Sequence, residues 1–290
     1  MTSQTGAPPA PLPTPLPTPL PAPLPVPRRT VGATLRLMGY GALASYQDYR
    51  AMFGWRSWLG GWLVRLLCQV LFFASLGQLL GSPGSQGYLA LGNAVVLGPL
   101  GALGVVSSTV GERRSGTLQF LLLSRTPPFL ALASRGLHWV ADGLITSTIA
   151  LLVMNLLLPV HLHWAALPAI IGVTALMTLG TYSVALCLSG ISLRMPESRM
   201  YLTVGTTIVL MLVGGVSTPV PQNGLPAVLA QLLPVSHGLE AVRQLARGGA
   251  LPLPLVLGEL LVAAGWAAAG FLVLTQGLRH TVRSGTLTLR

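Results

Sequence analysis

Long apolar blocks separated by short polar stretches fill the chain from about residue 58 onward. Each block is long enough for a helix to cross an apolar layer about 30 Å thick, because a helix rises about 1.5 Å per residue. The pattern therefore predicts an all-α integral membrane protein with six transmembrane helices in one domain over 58–278. The predicted spans are 58–80, 88–110, 135–159, 165–190, 200–218 and 252–276.

The stretch before the first span is rich in aromatic residues and arginine. Tyr46, Tyr49 and Phe53 recur at helical spacing, and three of the six tryptophans follow them. Aromatic rings and arginine suit the headgroup layer of a membrane. The pattern predicts an amphipathic helix over 39–57 that lies in the plane of the membrane.

Two flanking segments carry too few apolar residues to span. Residues 1–38 begin with proline at nearly every second position, which favours an extended polyproline II arm without a packed core. The arm is predicted to be disordered, either as a solvated cytoplasmic tail or as a docking segment for a partner groove. Residues 279–290 are predicted to be a cytoplasmic tail.

Charge is scarce and mostly positive. Charged residues make up 8% of the chain, and all 17 basic residues are arginine, against six acidic ones. No arginine cluster is longer than a pair, which argues against nucleic acid as a partner. Fourteen arginines fall on one side of the predicted spans and two on the other. This asymmetry predicts that both termini lie in the cytoplasm. The expected location is the plasma membrane, and a bacterial origin is expected.

Three charged residues fall inside predicted spans, where exposure to lipid is costly. Arg65 and Asp142 both lie about two turns from the cytoplasmic side, so a structural ion pair between them is the favoured interpretation. Glu259 lies near the outer side of the last span. It either pairs with Arg243 or Arg247 or reaches the membrane surface.

The polar stretch between the second and third spans reads GERRSGTLQFLLLSRTPP. Thr117 is placed to cap a short helix whose apolar side is Leu118, Leu121 and Leu122. From the residues alone, the stretch is either such a helix or a plain connecting loop under the headgroups.

Two motifs give the chain a resemblance to a known family. Glu112-Arg113-x-x-Gly116-Thr117-Leu118 resembles the E-R-x-x-G-T-L-E stretch of the ABC type-2 exporter permeases, although Gln119 stands where the family has glutamate. The segment LPVSHGLEAVRQL, from Leu233 to Leu245, is similar to the L-P-x-x-x-x-x-E-A-x-R segment before the last span of that family. The resemblance covers about residues 35–285.

The resemblance implies a cytoplasmic coupling helix at about 111–125, which docks its apolar side in a cleft of a separate ATPase. Glu112 is the residue expected to make a polar contact with that partner, and Arg113 and Arg114 are expected at the headgroups or the ATPase surface. The expected coupling residues are Glu112, Arg113, Arg114, Gly116, Thr117, Leu118, Phe120 and Leu121.

The resemblance also implies an external lid over about 219–251, built from two short helices broken at Pro234 that dip back into the membrane. The alternative is an external cap with structural roles only. The expected lid residues are Pro234, His237, Glu240 and Arg243.

In the family, the second and fifth spans lie at the interface of a permease dimer and line the route of the cargo. The polar residues of those spans are therefore candidates for the route, although their hydroxyl groups can equally bond to their own helix backbone. The candidates are Asn93, Ser107, Ser108, Thr203, Thr206 and Thr207. The small residues Gly98, Gly101 and Gly104 predict close helix contacts on the second span.

An ATP site is not expected in this chain. A phosphate-binding loop uses a lysine that reaches the β- and γ-phosphates, and the chain has no lysine. The expected function is that of a non-enzymatic permease subunit that exports a hydrophobic or amphipathic cargo. The expected partners are two copies of an ATPase subunit carrying ATP and Mg²⁺, a second permease subunit and membrane lipid. The alternatives are a membrane anchor or sensor subunit that moves no cargo, and an intramembrane lipid-modifying enzyme.

Overall fold

The computed structural model describes residues 31–52, 54–79, 83–123, 126–158, 162–220 and 223–284, and these form helices and connecting turns with no strand. Most of the predicted proline-rich arm and the end of the predicted tail lie outside these residues. The helices are α1 Val31–Met52, α2 Trp55–Leu79, α3 Gly84–Arg114, α4 Thr117–Leu123, α5 Pro128–Leu157, α6 Leu167–Ser192, α7 Arg199–Val213, α8 Gly224–Leu232, α9 Ser236–Ala246 and α10 Leu253–Arg283.

Five of these helices, α2, α3, α5, α6 and α10, are long and apolar enough to cross a membrane, which confirms the corresponding predicted spans at the level of length and composition. The predicted fifth span is wrong as a continuous helix over 200–218. Helix α7 has 15 residues and ends at Val213, so it reaches only about 22 Å. The next two residues are glycines, and Gly215 adopts a left-handed φ of 81° that ends the helix.

Helix α3 lies at the centre of the bundle, with most of its apolar stretch buried. It packs antiparallel to α5, and the two backbones approach closely where both carry glycine. A β-carbon at Gly101 would lie 2.7 Å from the Cα of Gly143. On another side a β-carbon at Gly98 would lie 2.6 Å from the Oγ1 of Thr178 on α6. The predicted close contacts of the second span are thus confirmed, and they are made within this chain.

Helices α6 and α10 run parallel, side by side. Gly180 faces Ala263 near the middle of both helices, and Gly190 faces Leu274 and Gly277 ten residues further along. Since both helices run in the same direction, the chain returns to the other end of the bundle between Ser192 and Leu253. Helix α7 and the residues after it make that return.

Helix α1 runs parallel to the first half of α5. A side chain at Gly41 would meet Ser134, Ser45 bonds to His138, and Tyr49 bonds to Asp142, so each contact keeps the same spacing along both helices. A helix lying in the membrane plane would cross α5 at one level instead. The amphipathic helix was predicted to lie in the membrane plane and to begin at residue 39. In the structure, α1 lies along α5 and begins at Val31.

Helices α8 and α9 form a bent pair with an angle of 83° between them. Their bend at Pro234 packs against Gly180 and Ala263 in the middle of the bundle, and Trp266 of α10 donates its indole N–H to the carbonyl of Leu232 at 2.8 Å. The two predicted helices and their break at Pro234 are confirmed. We call this pair the hairpin, the bundle end toward which it opens the hairpin end, and the opposite end the α4 end.

The predicted C-terminal boundary is corrected at the α4 end. Helix α10 continues to Arg283, well past the predicted last span at 276. The predicted tail therefore begins as helix. Within this extension the Thr281 hydroxyl donates to the carbonyl of Gly277 at 3.0 Å.

Candidate functional site

The turn before α4 is set by one glycine. Gly116 adopts a left-handed φ of 74°, which lets the chain leave α3 and begin α4 at Thr117 without strain. Leu118 on α4 is fully buried, whereas Phe120 and Leu123 are 67% and 83% exposed. The short helix is therefore anchored to the bundle by a fully buried leucine and presents two large apolar side chains outward.

The apolar side predicted for partner contact is used inside the chain. Leu118, Leu121 and Leu122 pack against the core cluster between α3, α5 and α6. The prediction that this side docks on a partner is wrong, because it covers the end of the bundle. The side available to a partner is the one with Phe120 and Leu123.

Glu112, at the end of α3, is held by groups of its own chain. Its carboxylate accepts the Nε–H of Arg135 at 2.5 Å and the hydroxyl of Thr117, and Arg135 also bonds to Asp48 of α1 at 2.8 Å. Thr117 therefore donates back to Glu112 at the end of α3, and its capping of α4 stays a prediction. Glu112 as a free polar contact for a partner is also wrong, since its carboxylate joins α1, α3 and α5 through Arg135. We call Glu112, Arg135 and Asp48 the ion network.

Arg113 and Arg114 differ sharply in environment. Arg113 is 4% exposed and donates to the carbonyl of Leu193, one of the carbonyls left open at the end of α6. Its predicted place at headgroups or a partner surface is therefore wrong, because it satisfies backbone inside the bundle. Arg114 is exposed and remains available at the surface.

At the hairpin end, Arg243 of α9 holds the chain that follows α7. Its guanidinium donates to the carbonyl of Gly215 at 2.6 Å and lies 3.6 Å from the centre of the Tyr88 ring. The Tyr88 hydroxyl donates to the same carbonyl at 3.1 Å. Non-helical backbone inside a membrane survives only where its polar groups are bonded within the protein. Arg243 and Tyr88 supply those bonds to the backbone that follows α7.

Glu259 of α10 is fully buried and accepts the backbone N–H of Gly238 at 2.8 Å. Gly238 lies in the first turn of α9, where N–H groups have no partner within the helix and negative charge is favoured. The predicted ion pair of Glu259 with Arg243 or Arg247 is wrong, as is its predicted reach to the surface. Glu259 bonds to the first turn of α9 from a neighbouring helix.

A chamber of about 660 Å³ opens beside the hairpin. Its polar wall includes His237, Glu240 and Arg243. The predicted lid residues other than Pro234 thus come together on this chamber, while Pro234 lies at the bend of the hairpin beside α6 and α10.

The predicted ion pair between Arg65 and Asp142 is absent from the described part of the chain. Asp142 accepts the indole N–H of Trp58 at 2.7 Å and the hydroxyl of Tyr49 at 3.3 Å. The guanidinium of Arg65 lies over the ring of Trp62, 5.0 Å from its centre. Aromatic neighbours thus take the place of the predicted opposite charges.

The candidate route residues do not form one polar surface. Thr203 and Thr207 donate to backbone carbonyls of their own helix, and Ser108 donates to that of Val105. This bears out the simpler alternative for these hydroxyls. Thr206 lines an apolar groove of about 350 Å³ between α6, α7 and the hairpin.

Helix α3 has little surface left for a dimer partner. Asn93 is fully buried and its amide donates to the carbonyl of Leu89. Ser107 is exposed near the α4 end. The expectation from the family that this span lines a subunit interface therefore does not fit its central position, whereas the exposed face of α7 has room for a partner.

Three residues that tie these regions together were not predicted: Arg135, Tyr88 and Trp58. In the sequence, Arg135 contributes to the arginine asymmetry, Tyr88 stands at the start of an apolar block, and Trp58 is one of the three tryptophans near the start of the first span. A spacing signal existed only for Arg135, which begins the polar face of α5 that continues with His138 and Asp142 at helical intervals.

No protein-family model matches this chain, and no curated protein matches its sequence at a significant level. The similarity to ABC type-2 permeases therefore rests on the two motifs and on the order of the helices around them.

Proposed function

We propose that this chain is the transmembrane permease subunit of an ATP-driven exporter of the ABC type-2 class. It moves a hydrophobic or amphipathic cargo out of the cytoplasm or the inner leaflet, with both of its own termini in the cytoplasm. The observation that carries the proposal is α4, a short helix at one end of the bundle that is anchored at its base and exposes Phe120 and Leu123.

The attachment of α4 supports a role in transmitting force. Leu118 seats the helix in the core cluster between α3, α5 and α6, and the ion network joins the preceding turn to α1 and α5. A push on Phe120 and Leu123 therefore reaches three long helices through direct contacts. Large apolar side chains exposed beyond the ends of membrane spans favour contact with another protein.

The hairpin supports a role as an external lid. Its bend packs at mid-height against α6 and α10 while its two helices open toward the hairpin end. Under the proposed orientation the hairpin end faces outward, so the hairpin dips into the outer half of the membrane and returns. The groove with Thr206 borders the bend of the hairpin, and the chamber with Arg243 borders both of its helices.

Energy comes from a partner under this proposal. The absence of lysine from the sequence leaves no residue for the lysine position of a phosphate-binding loop. We therefore propose that ATP and Mg²⁺ bind to two copies of a separate ATPase subunit, and that a second permease subunit, identical or related, completes the complex.

The test is ATP-dependent transport in inverted membrane vesicles that contain this chain and the cassette ATPase encoded nearest to it. Accumulation of a fluorescent lipophilic dye is expected only with ATP and both subunits. The variant Phe120→Ala/Leu123→Ala is expected to reduce accumulation at least tenfold, while Leu156→Ala/Leu157→Ala, equally exposed at the hairpin end, leaves it unchanged. ATPase binding without any dye, lipid or peptide movement would instead support the anchor or sensor alternative.

A further inference from the structure

A second cavity, separate from the hairpin chamber, lies between α1, the start of α2 and the first half of α5. Its volume is about 310 Å³, which is within the range that holds a drug-sized ligand or a lipid headgroup. Four aromatic residues and one acid characterise its wall. They are Tyr46, Tyr49, Trp55, Trp58 and Asp142.

Asp142 gives the cavity a carboxyl group that pairs with no arginine among the described residues. It is 8% exposed, and its Oδ2 atom has no hydrogen-bond partner among the described residues. Its Oδ1 atom accepts only neutral donors, the indole N–H of Trp58 and the hydroxyl of Tyr49. Burial and the neighbouring carboxylate raise the pKa of the Tyr49 hydroxyl, so it keeps the proton that it donates.

The aromatic rings supply the second half of a cation site. Faces of tryptophan and tyrosine attract a cation held within about 6 Å, and ammonium groups without strong hydration gain most from this contact. One ring already demonstrates it, because the guanidinium of Arg56 lies 5.4 Å from the centre of the Trp55 ring. The rings of Tyr46 and Trp58 have no arginine over them in the described part of the chain, whereas the ring of Tyr49 packs against His138 and Trp139.

The side chains of His138 and Arg50 also line the cavity. The Nδ1 atom of His138 is 2.9 Å from both the hydroxyl of Ser45 and the carbonyl of Arg135, so this nitrogen is turned toward its own chain. Arg50 is exposed and also borders the cavity. An anionic group next to the bound cation would therefore meet Arg50 on the open side, while the cation lies toward Asp142.

We propose that this cavity binds an organic ammonium or phosphonium cation, held by the rings of Tyr46 and Trp58 and by the charge of Asp142. Such a cation is supplied either by a lipid with a choline headgroup, whose phosphate would lie beside Arg50, or by a free lipophilic cation. The proposal concerns binding and does not depend on the exporter function.

Tetraphenylphosphonium binding to the purified full-length protein tests the site, with triphenylphosphine oxide as a neutral analogue of similar shape. The protein is placed in nanodiscs of phosphatidylglycerol and studied by equilibrium dialysis. Saturable binding of the cation is expected, and Asp142→Asn weakens it about tenfold, which corresponds to about 1.4 kcal/mol. The asparagine keeps the acceptor for Trp58, so the change removes charge and little else.

A matched control and a second variant keep the test decisive. Glu197→Gln removes an exposed acid far from the cavity and is expected to leave binding unchanged. Tyr46 is about half-exposed, so Tyr46→Leu is expected to fold normally and to weaken binding about threefold by loss of one ring. It carries the test if Asp142→Asn does not give a monodisperse protein.

Replacing half of the lipid with phosphatidylcholine separates the two sources of the cation. Competition with tetraphenylphosphonium identifies the choline headgroup as an occupant, and unchanged affinity identifies a site for free cations. The proposal would be overturned if wild type, Asp142→Asn and Tyr46→Leu bound tetraphenylphosphonium equally well. It would also be overturned if Asp142→Asn weakened the binding of triphenylphosphine oxide as much as it weakened the binding of the cation.

Discussion

The two ends of the bundle hold their charges in different ways. At the α4 end, Arg135 pairs with the carboxylates of Glu112 and Asp48. At the hairpin end, Arg243 and Glu259 are more deeply buried and bond to backbone groups instead. A pair of side chains can separate and re-form while both helices stay intact, whereas a charge bonded to backbone fixes the path of the chain. Arg113 also bonds to backbone at the α4 end, so the difference lies in the ion network: its side-chain pairs can rearrange, whereas Arg243 and Glu259 fix the path of the chain at the hairpin end.

Among the substitutions that test this contrast, the one at Arg243 is expected to change the free energy of unfolding most. Arg243→Met leaves the carbonyl of Val216 without its donor and the carbonyl of Gly215 with Tyr88 alone. We expect it to lower the free energy of unfolding by about 3 kcal/mol, because hydrogen bonds from a buried charged group are worth more than neutral ones. Equilibrium unfolding in mixed micelles with rising SDS measures the change.

The control for Arg243 is Arg247→Met, one turn further along the same helix. Arg247 is exposed, so its substitution is expected to change the free energy of unfolding by less than about 0.5 kcal/mol. Equal effects of the two substitutions would contradict a special role for the buried guanidinium.

A smaller effect is expected at Glu259. Glu259→Leu removes the acceptor for the N–H of Gly238 and is expected to cost about 1–2 kcal/mol, similar to the loss of a helix cap. Glu259→Gln keeps an acceptor oxygen and is expected to cost less than half as much. The same SDS titration compares them, and a glutamine variant as unstable as the leucine variant would show that the charge matters more than the bond.

The ion network is expected to contribute least among the charged groups. A double-mutant cycle of Arg135→Met and Glu112→Gln is expected to give a coupling energy of about 1 kcal/mol, and the cycle with Asp48→Asn less, because the Asp48 side chain is 68% exposed. Both couplings should fall in 1 M NaCl, where screening is strong. A coupling with Asp48 above that with Glu112 would contradict this ranking.

Substitutions on the outward face of α4 are expected to leave the stability of the protein unchanged. Phe120→Ala/Leu123→Ala removes side chains that are mostly exposed, so the free energy of unfolding should change by less than about 0.5 kcal/mol. Leu118→Ala, on the buried face of the same helix, is expected to cost about 2–4 kcal/mol. The same unfolding assay distinguishes the two faces, and similar costs would mean that α4 is buried on both sides.

The long helices could be predicted because an apolar block of sufficient length has few other outcomes in a membrane protein. The error in the fifth span has a clear cause. Hydropathy counts Gly214 and Gly215 as tolerable in a span, but it carries no information on backbone angles, and the left-handed Gly215 ends the helix. The donors that make this break possible, Arg243 and Tyr88, lie far away in the sequence.

The site was predicted less well because packing decides which side of a helix faces the bundle and which side chains pair. The predicted coupling helix over about 111–125 begins too early, because residues 111–114 continue α3. Which side of the seven-residue helix α4 meets the bundle depends on the turn at Gly116. Opposite charge suggested Arg65 as the partner of Asp142, but α1 runs along α5 and brings Tyr49 to that carboxylate. Arg113 and Arg114 are adjacent in sequence, and one is buried while the other is exposed.

Photocross-linking from α4 in intact cells tests the central claim most directly. A photoreactive phenylalanine analogue placed at position 120 is expected to cross-link an ATP-binding cassette protein, and the same analogue at position 157 is expected to give no such product. Accessibility adds the side of the membrane: a cysteine at position 123, in a background lacking Cys68 and Cys187, should react with an impermeant thiol reagent only after the cells are opened. Labelling of that cysteine in sealed cells, or identical cross-linked products from positions 120 and 157, would contradict a cytoplasmic docking helix.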